Sequence, residues 1–285
     1  MQQRTIGGRS VSAIGLGAMA MSIEGRPDEA RSIATIHAAL EAGVTLIDTA
    51  DAYHLRATDV GHNEILIAKA LRLAGSAADD VLVATKGGHR RPGDGSWYVQ
   101  GDPAYLKTAC EASLQRLDVE AIGLYQFHRP DPSVPYEESV GAIRDLLDEG
   151  KIVMAGISNA NPAQIRQAQD ILGGRLVSVQ NQLSPAFRSS EPELELCAEL
   201  GIAFLPWSPL GGIARAGQLG DRFVAFAEVA REHGVSPQQV CLAWELAKAP
   251  VVVPIPGASR PESIRDSVQA AALTLTPEEL ARLDA

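Results

Sequence analysis

Residues 44–53 read VTLIDTADAY. The first four are β-branched or aliphatic and follow the helix-ending pair Ala42-Gly43, which predicts a buried strand. The strand runs onto an acid, Asp48, where a parallel strand would give way to its loop. Tyr53 follows on a polar stretch able to fold a phenol back over the strand end. Taken alone, these residues fit equally an aspartate capping the next turn beside a tyrosine packed on a rim. The chain on either side separates the two readings.

Around this stretch, apolar strands alternate with helical periodicity. Strands are predicted over 13–17, 44–49, 81–86, 122–127, 152–157, 176–180, 202–207 and 251–255. Helices are predicted over 28–42, 63–73, 103–117, 136–149, 193–200, 223–233 and 237–247, with another opening at Asn161-Pro162 and two more closing the chain. Asp102 before Pro103, and Thr276 with Pro277 and Glu279, read as helix starts. A short polar side chain there caps free N–H groups, and proline fits the first helical position. Ahead of the first strand, 4–6 and 11–12 flank Gly7-Gly8 and predict a hairpin plugging one end of a barrel. Eight strands separated by helices close a parallel (β/α)8 TIM barrel; an open doubly wound sheet would carry a glycine-rich turn after its first strand, and no GxGxxG stands there. No linker or repeat interrupts 1–285, so one α/β domain with an N-terminal β-hairpin is expected.

Length and charge narrow the function classes. A chain of 285 residues buries a large core and matches the size of one barrel. A net charge of -10 without a concentrated basic patch argues against nucleic acid or an anionic membrane as partner. Cys110, Cys197 and Cys241 are odd in number, far apart and without metal-ligand spacing, which predicts buried thiols in a reducing compartment. With no signal-like start and no apolar run of bilayer length, a cytoplasmic protein is expected. Neither a heptad nor an exposed apolar stripe marks an oligomeric state.

In a parallel barrel the C-terminal rim carries the site, so a polar residue ending a buried strand is a candidate by position. Six strands in succession end that way: on Asp48, on Lys86 (VLVATK), on His128 (GLYQFH), on Ser158 and Asn159 (VMAGISN), on Gln180 (VSVQ), and on Trp207 and Ser208 (AFLPWS). Singly, each has a plainer reading as a rim charge, a satisfied core histidine or a loop-capping amide. Their convergence on one cavity is the signal. A lysine beside Asp48 keeps its charge, and its field is expected to lower the Tyr53 phenol from its ordinary pKa of about 10. His128, within reach of that phenol or of a carbonyl oxygen, would orient the substrate. The set suits protonation of a carbonyl oxygen. No metal is expected, because HxH, HExxH and acid-rich clusters are absent and His37, His54, His62 and His89 show no ligand spacing. A nucleophile elbow is missing too.

These residues resemble those of the aldo-keto reductases, NADPH-using (β/α)8 barrels, over nearly the whole chain. IDTADAY resembles the family's DTAxxY segment with its catalytic Asp and Tyr, ATKGG the segment bearing the catalytic Lys, and LYQFHRPD the segment bearing the catalytic His. The resemblance implies a tetrad of Asp48, Tyr53, Lys86 and His128, with Tyr53 donating the proton in hydride reduction of an aldehyde or ketone. GISNAN and VQNQLS resemble segments that hold the nicotinamide carboxamide, which implies Ser158, Asn159 and Gln180. PWSPLGG resembles the segment stacking under the nicotinamide ring, which implies Trp207, with Ser208, Leu210 and Gly211 along the pyrophosphate and Arg215 close behind. PIPGASRPESIRDS resembles the loop and helix start at the adenosine end, which implies Gly257 and, for a 2′-phosphate, Ser259 and Arg260. Here the sequence departs from the family. Ser263 stands where Gln or Arg is common and Ser267 where Asn is, so two adenosine contacts are shortened. NADP(H) is the implied cofactor and NADH the less favoured one.

Met21, Trp97 and Arg129 are the candidate substrate contacts. The loop 87–101, GGHRRPGDGSWYVQG, places a paired indole and phenol over the mouth. Together with PWSPLGG it resembles the pyridoxal-reductase branch of the family, which implies reduction of pyridoxal to pyridoxine with Trp97 on the pyridine ring. Two alternatives stay open. One is a general aldehyde reductase of another substrate, for which Arg90 and Arg129 suit an anionic aldehyde; the other is a non-catalytic NADP(H)-sensing subunit on the same barrel.

Overall fold

In the computed structural model, which describes residues 1–285, the chain opens with β1 (Gln3–Ile6) and β2 (Arg9–Ser12). They pair antiparallel across a turn in which Gly7 and Gly8 take φ of 56° and 84°, a conformation glycine enters without steric penalty. Seven strands then run parallel in one curled sheet. They are β3 (Leu16–Gly17), β4 (Leu46–Asp48), β5 (Leu82–Gly87) and, past a small antiparallel ribbon of β6 (His89–Arg90) and β7 (Tyr98–Val99), β8 (Ile122–Phe127), β9 (Ile152–Ser158), β10 (Leu176–Gln180) and β11 (Ala203–Phe204). Around them lie α1 (Glu29–Glu41), α2 (His62–Ala74), α3 (Pro103–Leu117), α4 (Tyr136–Asp148), α5 (Pro162–Ile171) and α6 (Glu191–Leu200). The short α7 (Leu219–Arg222) precedes α8 (Val224–His233), α9 (Pro237–Lys248), α10 (Pro261–Gln269) and α11 (Pro277–Asp284). Side-chain caps fix several starts: Asp102 accepts from the Tyr105 N–H at 2.9 Å, and Asn161 and Thr276 each close a reciprocal capping box. No helix is long and apolar enough to cross a membrane.

The sheet has seven strands where the sequence predicts eight. Residues 252–257 join its two edges without forming a continuous ladder. The Val253 and Ile255 N–H groups donate to the carbonyls of Phe204 and Pro206 at 2.9 and 3.2 Å, while the Pro254 and Pro256 carbonyls accept from Gly15 and Gly17, each at 2.9 Å. Proline has no N–H to return to β3, so on that side the seam is bonded through the Gly15 and Gly17 N–H groups, whereas Phe204 on the other side both accepts from Val253 and donates to the Val251 carbonyl at 2.9 Å. Gly17 is required there, because a Cβ would sit 2.7 Å from the Ile255 carbonyl oxygen.

Period-two alternation decides what faces inward. Leu46 and Asp48 on β4, Leu82, Ala84 and Lys86 on β5, and Leu124 and Gln126 on β8 form adjacent columns, in register Leu46 to Leu82, Ala84 to Leu124 and Lys86 to Gln126. Each column is apolar at its base and polar at its C-terminal end. Ile6 and Val11 of the hairpin pack against the apolar bases, in one buried cluster with Leu46, Leu82, Leu124, Met154 and Val253. Burying such a side chain contributes about 1.5–3 kcal/mol. The strand faces turned outward pack on the helices through two larger apolar clusters, so the polar column tops are left as the one place where charge collects inside the sheet.

Candidate active site

The column tops converge on Lys86, which is fully buried. Its ammonium has three donors and three acceptors: Asp48 Oδ1 at 2.6 Å, the Thr49 carbonyl at 2.7 Å and the Tyr53 hydroxyl oxygen at 3.2 Å. The loop after β4 follows the end of β5, with Thr49 N–H donating to the Ala84 carbonyl at 2.8 Å and Asp51 N–H to the Lys86 carbonyl at 3.3 Å. That path folds Tyr53 back over the strand end, where it is 6% exposed. The other Asp48 oxygen accepts from the Gln180 amide at 2.8 Å and the Gln126 amide at 3.5 Å, and Ser178 Oγ donates to Gln126 Oε1 at 3.2 Å. Gly156 leaves room for this pair, since a Cβ would lie 2.2 Å from Ser178 Oγ.

Burial opposes the charge on Lys86, but Asp48 and Tyr53 outweigh it and hold the ammonium above its ordinary pKa. The expectation for Tyr53 is reversed. Burial raises the phenol more than the Lys86 field lowers it, and Asp48 adds to the rise, so Tyr53 sits above its ordinary value. Because Lys86 donates to the phenol oxygen, the phenol hydrogen is left free for another acceptor. His128, 7% exposed, stands edge-on to the Tyr53 ring with centroids 5.9 Å apart. Burial, with Lys86, His89 and Arg129 adding, holds it well below the usual histidine range, so it is a neutral imidazole; its Nδ1 is buried without a partner.

Along the rim, Ser158, Asn159 and Gln180 come together, but largely on one another. Ser158 Oγ donates to the Gln180 carbonyl at 2.7 Å, and the Asn159 amide donates to the His128 carbonyl at 3.0 Å and to Ser158 Oγ at 2.9 Å. One Gln180 amide N–H is directed to Asp48, which leaves its oxygen and its second N–H uncommitted. Asn159 and Ser208 hold φ of 57° and 51°, costly conformations for residues with a Cβ that cluster at functional sites. Trp207 is half-buried with its Nε1 buried and unpartnered, and Leu210 and Gly211 lie beyond it; Arg215 is exposed. At the far end, Gly257 is exposed, Ser259 half-buried, and Arg260 Nε donates to Ser263 Oγ at 2.8 Å at the start of α10. Ser267 is 4% exposed within α10, too enclosed for an open adenosine contact.

Of the substrate candidates, Met21 is displaced from that role. It is wholly buried in the outer apolar cluster with Ile36 and Ile47, because the turn after β3 directs it under α1 and not into the mouth. Trp97 is 37% exposed, edge-on to Tyr53 with centroids 6.4 Å apart, and the Arg91 guanidinium lies 4.5 Å from its ring centre. Arg91 itself is buried, paired with Glu24 and donating to the His54 carbonyl, so it ties three loops together. Arg129 donates to Asn159 Oδ1 at 3.1 Å. Two residues at the site escape the sequence reading. Gln126 shares the inward column of His128 and was detectable as a lone amide in an apolar strand; His89, set aside for lack of ligand spacing, packs on both His128 and Trp97. No group of three or more His, Cys, Asp or Glu side chains is placed to hold a metal.

On the opposite face of β5 lies a second polar cluster. Thr85 Oγ1 donates to Glu64 Oε1 and Arg116 Nε to Glu64 Oε2, both at 2.6 Å, while the Tyr105 hydroxyl donates to Asp51 Oδ2 at 3.3 Å.

The model of the aldo/keto reductase family matches residues 13–285. A Schizosaccharomyces pombe protein described as an uncharacterized oxidoreductase is 35% identical over 285 residues, covering 98% of this chain and 88% of its own length. A Glycine max protein described as a probable aldo-keto reductase is 35% identical over 301 residues, covering 96% and 84%. Among solved structures, an aldo/keto reductase from Klebsiella pneumoniae in complex with NADP and acetate superposes with a TM-score of 0.82 at 28% identity, covering 99% of this chain and 94% of that one. The chain therefore belongs to the aldo/keto reductase family.

Proposed function

We propose that this chain is a single closed (β/α)8 barrel, with residues 252–257 as its eighth strand, that reduces an aldehyde or ketone to an alcohol using NADPH. The observation that carries the reading is the fully buried Lys86 ammonium joined at once to Asp48 and to the Tyr53 oxygen, which leaves the phenol hydrogen available. NADPH, when bound, supplies the hydride. Three features of the chain fit it: the unpartnered Trp207 Nε1, the strained Ser208 beside it, and the start of α10, whose free N–H groups have no side-chain cap and stand next to Arg260. Trp207 would lie under the nicotinamide, Ser158, Asn159 and Gln180 beside its carboxamide, Ser208, Leu210, Gly211 and Arg215 along the pyrophosphate, and Gly257, Ser259, Arg260 and Ser263 about the 2′-phosphate and adenosine.

In this reading the carbonyl oxygen is received between the Tyr53 hydroxyl and the neutral His128 imidazole. As negative charge develops on that oxygen, Tyr53 gives up its proton, and the Lys86 ammonium stabilises the phenolate left behind. A raised phenol pKa is no obstacle, because an alkoxide is a far stronger base than a phenolate. Asp48, held by Gln180 and Gln126, keeps Lys86 in place and charged. The exposed Trp97 edge against Tyr53 supports a flat aromatic substrate, for which pyridoxal is the candidate; a general aldehyde reductase of another substrate, for which the Arg129 guanidinium near His89 and His128 suits an anionic aldehyde, is the second reading.

The test follows NADPH oxidation with pyridoxal, butanal and 4-nitrobenzaldehyde. Tyr53→Phe is expected to lose about 10²- to 10⁴-fold in kcat with NADPH affinity retained. Tight NADPH binding without turnover of any carbonyl would replace this reading with a sensing role, and pyridoxal ranking last in kcat/KM would remove it as the substrate. Arg260→Ala is expected to raise the KM for NADPH about 10- to 100-fold, the worth of a charge-assisted hydrogen bond, and to leave NADH nearly unaffected. Equal losses for both cofactors would show that Arg260 does not meet the 2′-phosphate.

A further inference from the structure

Four of the six histidines have a ring nitrogen hydrogen-bonded to the protein: His62 with Ser22 Oγ, His37 with the Ala70 carbonyl, His54 with the Arg56 carbonyl and His233 with Glu279. The two without such a bond, His89 and His128, face one another at the candidate site, with centroids 4.9 Å apart and planes at 79°. Gly88, at φ 106°, turns the chain out of β5 so that the next side chain, His89, stands at the mouth. Its other side lies on Trp97, centroids 4.9 Å apart and tilted by 32°. Tyr53, Trp97, His89 and His128 thus form a closed circuit of four rings, in which His89 stands across from the phenol.

We infer that His89 is a specificity-determining residue, and that it selects aromatic aldehydes carrying a hydroxyl on the ring carbon next to the one bearing the carbonyl. The inference rests on the carbonyl-reductase reading above and sharpens its substrate class. A carbonyl oxygen held by Tyr53 and His128 has, in such a compound, a second oxygen one hydrogen-bond length away. The adjacent imidazole meets that oxygen, whereas a para hydroxyl is carried to the far side of the ring. Burial and the nearby Arg129 guanidinium hold His89 down to about 4, so at neutral pH it offers one N–H donor and one acceptor nitrogen. That pair matches an un-ionised hydroxyl, which also gives and takes one hydrogen bond, and matches a carboxylate poorly. Stacking on Trp97 fixes the imidazole plane and gives the substrate ring an aromatic wall.

The test compares kcat/KM for benzaldehyde and for 2-, 3- and 4-hydroxybenzaldehyde with NADPH, in the wild type and in His89→Phe and His89→Asn. The wild type is expected to favour the 2-hydroxy over the 4-hydroxy isomer by about threefold to tenfold, the worth of one neutral hydrogen bond. His89→Phe is expected to abolish that ratio by bringing kcat/KM for the 2-hydroxy isomer down to the level of the 4-hydroxy isomer within the same variant, and His89→Asn to restore part of the ratio. A wild type that reduces all four without an ortho preference, or a preference that survives in His89→Phe, overturns the role of His89 and leaves the reductase reading standing. Failure to reduce any of the four overturns both. The isomer ratio in the wild type needs no variant to fold, and a merely structural role for His89 would not move it.

Discussion

Strand β5 carries two buried charge clusters on opposite faces, one residue apart. Inward, Lys86 pairs with Asp48 and holds the Tyr53 oxygen; outward, Glu64 pairs with Arg116, takes the Thr85 hydroxyl and lies near Asp51. Each is an ion pair accompanied by a further acid. They differ in what is left over. Inside, every Lys86 donor is used and the uncommitted atom is a hydrogen, on the Tyr53 phenol. Outside, the uncommitted atom is a carboxyl oxygen, Asp51 Oδ1, on a group that burial with the Glu64 charge pushes up to about 8. Desolvation acts on both clusters. It yields a proton donor where a cation anchors the acid, and a carboxyl that keeps its own proton where a second acid is the neighbour.

The largest break is Lys86→Met. Asp48 is left buried and uncompensated, so a loss of about 10²- to 10⁴-fold in kcat is expected together with about 3–5 kcal/mol of stability. Kinetics and urea unfolding measure the two; retention of kcat within about tenfold would mean that the phenol needs no cation. Glu64→Gln is the matching change on the outer face. It strands Arg116, at a cost of about 3–5 kcal/mol in urea unfolding, and kcat/KM should hold where the variant is folded. A fallen kcat at unchanged stability would show that the two faces are coupled through β5.

Asp51→Asn has the smallest expected effect and sharpens the contrast through pH. The folded carboxyl at about 8 lies above the ordinary 3.8, so the native state binds the extra proton between those values. Its contribution to stability is full below about pH 4 and is lost as pH rises through about 8. Asn cannot ionise, so the Tm of the variant relative to wild type should rise by roughly 5–10 °C between about pH 5 and pH 9. A difference that stays constant with pH would mean that Asp51 is already ionised.

Local physics made much of this readable from residues. Asp102, Asn161 and Thr276 announce helix starts because capping depends on a few neighbouring atoms, and Asp48, Lys86, His128 and Gln180 stand out because a polar group ending an apolar strand has few ordinary explanations. What escaped depends on partners distant in sequence. The direction of the Tyr53 shift required the balance between burial and the Lys86 field. Met21 required the packing under α1, and His89 required the turn at Gly88 that carries it to His128. The missing eighth ladder was legible in principle, since Pro254 and Pro256 fall on alternate positions and both turn toward β3.

That one-way bonding at β3 makes the curled sheet unequal from one edge to the other. Local opening costs least where the fewest bonds are broken, so the Gly15 and Gly17 amides should exchange with deuterium through smaller fluctuations than the amides of β5, β8 and β9. The joint also links the two ends of the chain, so its loop-closure entropy comes due late and it should form among the last contacts in folding. Gly257 and Arg260 continue directly from it. A dinucleotide bound there would bind only the closed state and act as a clasp, slowing exchange at the seam more than anywhere else in the sheet.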